Sequence, residues 1–435
     1  MKVVGLITEY NPFHNGHKYH IEQAKKITGA DYCIAVMSGN FVQRGTPAVI
    51  DKYSRTKMAI QNGVDLVLEL PVCYATGSAE YFAHGAISIL DKIGVVNTLC
   101  FGSECGDISL LTSAARLLLH APSEFENQLQ DNMREGLTYP AARLRALEQS
   151  MKDSGSADYH SLSKVLTEPN NILGIEYCKA LINFSSSIEP ITIQRISAHY
   201  HEKELSSART LAISVSGLTT PVISSATAIR NTINHPSELS AAAITAAAQS
   251  VPEDVAQFLR DYYQITYPMT EEDFAAIIKY KLSQEDNQAL ANYLDVTPDL
   301  ADRLKNLKDF NKNISSLIQE IKTKNMTLTR INRALLHILL NIKTDTIKTY
   351  MEADYTPYAR ILGIRKESSP LLRSIEKYGR IPTITKVSKA KDQLNPLGIQ
   401  MLSEDIFAAD IYNQAVYHKF GTPLLSEYQH GICIV

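Results

Sequence analysis

The chain has 435 residues, of which 45% are hydrophobic and 20% are charged, and its net charge is −3. This composition is typical of a globular protein of two or three domains, and no apolar run approaches the roughly 20 residues that a membrane-spanning helix needs. The six cysteines are scattered, and no basic segment precedes the first apolar run, so we expect reduced thiols, no signal peptide, no membrane partner and a cytoplasmic location.

The first 104 residues alternate between short apolar runs and helical patterns. Apolar runs at 3–7, 31–39, 64–71 and 97–104 predict strands, and residues 17–27, 52–62 and 78–93 predict helices. Continuous apolar strands that alternate with helices are typical of a Rossmann-like, doubly wound parallel sheet in an α/β protein. Ligands bind such sheets at the carboxyl ends of the strands. The turns after the first, second and fourth runs are therefore predicted to open onto one crevice.

The rest of the chain is mainly helical in pattern. The pattern of residues 108–165 predicts a helical insertion in the α/β domain. We place the α/β domain at residues 1–235, because a helix-forming sequence, Ala-rich first and Lys/Arg-rich later, begins near residue 236. We predict a mainly α-helical domain at 236–435.

Charge is distributed unevenly along the chain. Residues 303–391 carry 19 Lys and Arg against 7 Asp and Glu, a local charge of +12, so the remainder sums to −15. A basic block in an otherwise acidic protein favours a surface that binds nucleic acid. A solvated helical surface without a partner is the alternative.

The turn after the first strand carries the pattern H-x-G-H, formed by His14, Asn15, Gly16 and His17. A helix that begins at such a turn offers main-chain N–H groups to an anion, and Gly16 allows a phosphate to approach closely. The two imidazoles can donate to phosphate oxygens. A second polar turn leads into a later helix and carries Ser225, Thr227 and Arg230.

These two turns together resemble the nucleotidyltransferase superfamily, whose members share the HxGH turn and a later Ser/Thr-rich turn with an arginine. In such enzymes a nucleophile attacks the α-phosphate of ATP in line and pyrophosphate leaves, so catalysis is mostly positioning and charge stabilisation. We assign His14 and His17 to the α-phosphate as catalytic residues, and the second turn to the departing β,γ-phosphates. Magnesium is expected to accompany ATP, and we assign no metal ligand in the chain.

Further blocks resemble the tRNA(Met) cytidine acetate ligase family. They lie at residues 9–17, 37–45, 101–104 and 169–174, at Arg195 and, more weakly, at 329–337. The resemblance implies that ATP and acetate give acetyl-adenylate and pyrophosphate. The exocyclic amine of the wobble cytidine of elongator tRNA(Met) then takes the acetyl group, which gives N4-acetylcytidine and AMP.

The resemblance also implies an ATP site. Its residues are Ile7, Thr8, Glu9, Tyr10, Asn11, Pro12, Phe13, His14, Asn15, Gly16, His17, Lys18, Tyr19, His20, Gly102, one of Asn170 and Asn171, and Arg195. One sequence does not decide between the two asparagines. Gln43 and Arg44 follow the second strand and are candidates for contact with acetate or cytidine, with an ordinary surface loop as the alternative. Candidates for contact with tRNA phosphates are Arg330, Arg333, Arg360, Arg365, Lys366 and Arg380.

Two other functions are compatible with parts of the pattern. An adenylyltransferase that moves AMP from ATP to a small phosphorylated acceptor would use the same turns, but it leaves some 200 extra residues with a basic block unexplained. A non-catalytic RNA-binding protein leaves His14, His17 and Arg230 unexplained. An acyl-adenylate needs no covalent enzyme nucleophile, in agreement with the lack of a convincing Ser-His-Asp or Cys-His set in the sequence.

Overall fold

The architecture is taken from a computed structural model, which describes residues 1–119, 123–137, 141–146, 149, 165–195, 224–234, 240–307, 311–324 and 326–435. In these ranges, eighteen α-helices, labelled α1 to α18, span Asn15–Thr28, Lys52–Gln61, Val72–Ala75, Ala79–Lys92, Ile108–Leu119, Ser123–Arg134, Pro169–Asn183, Ala226–Asn234, Ser240–Ala248, Glu253–Tyr262, Ala275–Gln284, Asn287–Leu290, Pro298–Lys305, Ile314–Ile321, Leu328–Leu340, Thr344–Glu352, Ser369–Tyr378 and Pro396–Phe420. Residues 141–146 are also helical. The strands, β1 to β10, span Val3–Thr8, Tyr32–Ser38, Phe41–Val42, Thr46–Pro47, Leu66–Leu70, Thr98–Ser103, Glu189–Gln194, Ala359–Ile364, Thr383–Ile384 and Cys433–Ile434. None of the helices in these ranges is both long and apolar enough to cross a membrane.

The central sheet has the strand order β10-β8-β5-β2-β1-β6-β7, with β9 paired to β8. Strands β5, β2, β1, β6 and β7 are parallel, which confirms the predicted parallel α/β sheet. Strand β2 is buried at six of its seven positions, as a strand covered on both faces requires. Thr8 pairs with Met37, so β1 and β2 end level with each other at one edge of the sheet. We call this edge the carboxyl edge.

The segment at 236–435, predicted to be mainly helical, also contributes three strands to the central sheet. Strand β8 pairs antiparallel with β5, and β9 and β10 pair with β8, so segments on both sides of residue 235 share one sheet. All six residues of β8 are buried. A short, largely apolar run of six residues has the same local pattern in a buried strand as in a buried helix. The strand that pairs with β8, which is β5, is almost 300 residues away in the sequence. Much of the predicted insertion, including residues 150–164, lies outside the described residues.

A buried cluster of four charges joins the C-terminal segment to the sheet. Lys52 Nζ lies 2.7 Å from Glu69 Oε1 and 2.8 Å from Glu427 Oε2, and Arg360 contacts the same two carboxylates. All four side chains are at most 4% exposed. Burial alone would raise the pKa of Glu427, but the Lys52 and Arg360 cations outweigh burial and lower it to about 2. The cluster is balanced in charge, so the loss of one member leaves an unpaired buried ion.

We expect Glu427→Gln to lower the free energy of unfolding at neutral pH by about 3–5 kcal/mol, because two buried cations would then share one carboxylate. The folded pKa of Glu427 lies below the value of about 4.3 expected for an unfolded chain. The stabilisation by this carboxylate is therefore complete above that value and lost as the pH falls towards 2. Urea unfolding of both proteins at several pH values measures the effect.

The matched control is Glu367→Gln, which makes the same change on an exposed side chain and should alter stability by less than about 0.5 kcal/mol. Equal effects of the two substitutions, or a difference between wild type and Glu427→Gln that does not shrink in acid, would contradict the assignment.

Candidate active site

The H-x-G-H turn forms the N-terminus of α1, and its two histidines cap that helix. His14 is the N-cap residue, and its Nδ1 accepts a hydrogen bond from the Gly16 N–H at 3.1 Å. His17 Nδ1 accepts from the His14 N–H at 3.2 Å, and the two rings stack with their centroids 3.6 Å apart. In this capping box, His14 takes the N-cap position usually held by Ser or Thr, and His17 takes the position three residues later that is usually held by Glu or Gln.

The hydrogen bonds of the turn also fix the tautomer of both rings. Burial lowers the pKa of His14 to about 3, with Arg195 and Arg230 acting in the same direction. Burial and the neighbouring His14 hold the pKa of His17 well below its usual value. Both rings are therefore neutral near pH 7, and since each Nδ1 accepts a hydrogen bond, each ring carries its proton on Nε2. The turn supplies two neutral N–H donors.

The ends of β6 and β7 form a second side of the site. Arg195 follows β7, and its guanidinium donates to Asn170 Oδ1 at 3.5 Å. A Cβ atom at Gly102 would lie 3.2 Å from Arg195 Cγ, so a side chain there would crowd the arginine. Arg195 is exposed, but its charge reaches His14, His17 and His20, since it contributes to the lowered pKa of each.

The two candidate asparagines have different surroundings. Asn171 is 2% exposed, and its Oδ1 accepts from the Glu104 and Cys105 N–H groups at 3.0 and 3.1 Å. Asn170 is half-buried and contacts Arg195. The Glu104 carboxylate accepts from the main-chain N–H groups of both asparagines and so caps α7. These contacts favour Asn170 as the residue that meets a ligand and give Asn171 and Glu104 a role in shaping the strand end.

The N-terminus of α8 forms a third side. Arg230 donates to the Asn11 carbonyl oxygen at 2.6 Å and to Thr227 Oγ1 at 3.1 Å. Arg44 donates to the same hydroxyl at 3.4 Å, and Ser225 Oγ accepts from the Ala228 N–H. Two guanidinium groups therefore meet at Thr227, beside the turn that contains Asn11. Such a pair of cations is suited to a ligand with several negative charges.

The loop between β2 and α2 connects this site to helix α15. The Gln43 N–H donates to Glu9 Oε1 at 3.0 Å. Gly45 has φ +77°, and a Cβ atom there would lie 2.3 Å from the main-chain nitrogen of Arg333. Glycine is required at this position both by the backbone conformation and by the close approach of α15. The sequence pattern gave no sign of this contact, because it joins residues almost 300 positions apart.

The predicted tRNA-binding residues do not share one surface. Arg330 and Arg333 lie on α15, and the main chain at Arg333 contacts Gly45. The Arg333 guanidinium forms an ion pair with Asp295 at 2.8 Å. Arg360 is 4% exposed within the buried cluster, so it is not accessible to a phosphate. Arg365 and Lys366 follow β8 at the opposite edge of the sheet from the H-x-G-H turn, and Arg380 lies against the C-terminal end of α4. Asp65 pairs with Arg365, and Asp91 pairs with Arg380.

The sheet, the capped turn and the cationic turn at α8 together define a nucleotidyltransferase of the HIGH type, and the family model described as HIGH Nucleotidyl Transferase matches residues 1–423. Proteins named tRNA(Met) cytidine acetate ligase are similar over nearly the whole chain. The protein from Acetivibrio thermocellus is 38% identical over 95% of this chain and 94% of its own length, and the one from Clostridium perfringens strain ATCC 13124 is 39% identical over 95% of both. The chain belongs to the tRNA(Met) cytidine acetate ligase family.

Solved structures agree with this assignment. The crystal structure of Thermotoga maritima TmcAL bound with alpha-thio ATP superposes with a TM-score of 0.85, at 29% identity, over the full length of both chains. The apo form of the same protein gives a TM-score of 0.87 at 30% identity, again over the full length of both chains.

We expect nuclear magnetic resonance to find His14 and His17 neutral and protonated on Nε2 from about pH 5 to pH 8, because burial and nearby cations disfavour a second proton. Long-range proton–nitrogen spectra of protein with ¹⁵N-labelled histidine report both the charge and the tautomer. The same sample unfolded in urea is the control, where the histidines should titrate near about 6.5. A folded-state ring that takes up a proton near pH 7, or that carries its proton on Nδ1, would disagree with the capping arrangement.

Proposed function

We propose that this protein is an ATP-dependent ligase that activates acetate as acetyl-adenylate and transfers the acetyl group to N4 of the wobble cytidine of elongator tRNA(Met). The observation that carries the proposal is the convergence of two neutral imidazole donors with two cationic sides, Arg195 on one and Arg44 with Arg230 on the other. The names of the relatives, which include tRNA(Met) and acetate, support the choice of substrates.

The first step joins acetate to AMP. A carboxylate oxygen of acetate attacks the α-phosphorus of ATP, the bond to the bridging oxygen breaks, and pyrophosphate leaves with that electron pair. The Nε2–H groups of His14 and His17 donate to the α-phosphate oxygens as charge builds up on them. Thr227, Arg230 and the N-terminus of α8 hold the departing pyrophosphate.

Arg44 contacts the same hydroxyl as Arg230, and this favours an anionic reactant for it over the cytidine ring. Acetate and the leaving phosphates are both candidates for that contact. Gln43 is held to Glu9 through its main chain, and its side chain remains a candidate for acetate or cytidine.

The second step uses the mixed anhydride. The N4 amine of cytidine attacks the acetyl carbonyl, loses a proton, and expels AMP, which gives N4-acetylcytidine. The acetyl-phosphate bond is already activated, so no covalent enzyme intermediate is needed. Magnesium is expected to accompany ATP and to be bound largely by its phosphates, as is usual for this ion.

We expect the protein to catalyse acetate-dependent exchange between pyrophosphate and ATP, and to acetylate the elongator tRNA(Met) transcript at the anticodon cytidine. His14→Asn should lower the exchange rate by about 100-fold, since the loss of one preorganised donor costs that much or more. Asparagine is also a good N-cap residue, so this variant should keep the helix intact. Radiolabelled exchange and mass spectrometry of the tRNA are the measurements.

Exchange that depends on a small phosphorylated acceptor and not on acetate would favour the adenylyltransferase alternative. Full exchange activity in His14→Asn would rule out the role proposed for the imidazole.

We also expect Arg330→Gln to weaken tRNA binding and to reduce its salt dependence by about one unit of slope, because Arg330 lies in the first turn of α15, just before the residues that contact the loop at Gly45. Acetate-dependent exchange without tRNA should be unchanged. Lys26→Gln removes the same charge from the exposed C-terminal end of α1 and serves as the control for binding. If both variants weaken binding equally, the α15 surface has no special role.

A further inference from the structure

Arg55 is a fully buried arginine whose hydrogen bonds end on main-chain carbonyl groups. It lies on α2, is 0% exposed, and its Nε donates to the Ile50 carbonyl oxygen at 2.9 Å. One terminal nitrogen donates to the carbonyl oxygens of Glu9 and Ser38 at 2.6 and 3.1 Å, and the other donates to that of Gly39. A single guanidinium thus binds four carbonyl groups.

These carbonyl groups belong to separate segments at the carboxyl edge. Glu9 follows β1 and begins the H-x-G-H turn, whereas Ser38 and Gly39 end β2 and begin the loop that carries Gln43 and Arg44. The same two segments are also joined by the Val49 N–H, which donates to Asn11 Oδ1 at 2.8 Å. Arg55 therefore connects the nucleotide turn to the loop on which the second reactant is proposed to bind.

The cost of burying Arg55 indicates that its position has a purpose beyond filling space. Within the described part of the chain, the hydrogen-bond partners of this buried guanidinium include no carboxylate, so it has lost water without gaining a directly bound counter-ion there. Burial accordingly lowers the pKa of Arg55. The planar fork of five N–H donors is the feature that lysine or an apolar residue cannot reproduce. Gly39 fits beside it only as glycine, since a Cβ atom there would lie 2.6 Å from Glu69 Oε1.

We propose that Arg55 is a positioning residue, which fixes the H-x-G-H turn relative to the loop at residues 39–50 so that ATP and the attacking carboxylate are held in line. The role in acetate activation rests on the proposed function, whereas the role in fixing the two segments does not. A displacement of about 1 Å between reacting groups is enough to cost about 100-fold in rate.

The test compares three variants with the wild type. Arg55→Ala removes the fork and leaves space for a guanidinium ion, and Arg55→Lys keeps the charge and most of the volume. Lys92→Met is the matched control. Lys92 is also a buried cation that donates to main-chain carbonyl groups, those of Thr356 and Asp354, and it pairs in addition with the Asp354 carboxylate. It ends α4, whose following segment meets the start of β1, at the opposite edge of the sheet.

We expect Arg55→Ala to lower kcat for acetate-dependent exchange by about 100-fold while the Kd for ATP rises less than about threefold, because the turn keeps its own caps. Millimolar guanidinium chloride, far below unfolding concentrations, should restore much of the rate, and sodium chloride should not. Arg55→Lys should lose at least about tenfold in kcat. Lys92→Met should lose stability with an unchanged kcat per folded molecule.

Hydrogen exchange provides a readout that does not depend on activity. The amides of Gln43 and Val49 bridge the two segments, and both should exchange about tenfold faster in the Arg55 variants than in Lys92→Met. Unchanged protection of these amides, or exchange activity of folded Arg55→Lys within twofold of wild type, would overturn the proposal. If the wild type lacks acetate-dependent exchange but the amides lose protection as expected, the proposed function fails and the positioning role stands.

Discussion

Buried main-chain groups at the carboxyl ends of β1 and β2 are the constraint on which the candidate site depends. Strands that end inside a protein leave polar groups that water does not reach, and each of these groups needs a partner. The two histidines accept from the first N–H groups of α1, and Arg55 donates to the carbonyl groups of the adjoining segments. The hydrogen bonds that cap the helix therefore also decide which ring nitrogens can contact a ligand. Because both imidazole Nδ1 atoms are used in capping, only the Nε2–H groups remain for a phosphate.

The C-terminal half of the chain completes this arrangement and is not an appendage to it. Strand β8 extends the sheet next to β5, and Arg360 at its start joins Glu69 at the end of β5 to Glu427 in the C-terminal segment. On the other side, α15 packs so closely on the loop after β2 that only glycine fits at residue 45. A ligand that moves α15 would also move the loop that carries Arg44, because α15 contacts that loop at Gly45.

Local patterns were sufficient to predict the parallel sheet and the H-x-G-H turn, because alternating strands, helices and glycine turns are encoded over short distances. The same patterns did not separate Asn170 from Asn171, since two neighbouring residues at a helix N-terminus differ only in which neighbours they face. The local sequence pattern also did not predict the burial of Arg360, because its partners Glu69 and Glu427 are distant in sequence. The count of charges in the basic block therefore included Arg360 as if it were a surface cation. Features that depend on local sequence pattern were thus predicted correctly, and features that depend on contacts with distant parts of the chain were not.

The charge asymmetry along the sequence is smaller in the folded protein. Four candidate cations of the basic block, Arg333, Arg360, Arg365 and Arg380, pair with acidic residues that lie outside that block. A sequence-level charge of +12 therefore overstates the positive potential available to RNA phosphates. Under the proposed function, a cytidine that reacts at the carboxyl edge must be held by groups near that edge. Arg365 follows β8 beside the start of β5, so it is displaced from the carboxyl edge by about the length of a strand, roughly 15–20 Å. Helix α15 contacts the loop after β2 at Gly45, and we therefore keep it as the surface proposed for tRNA.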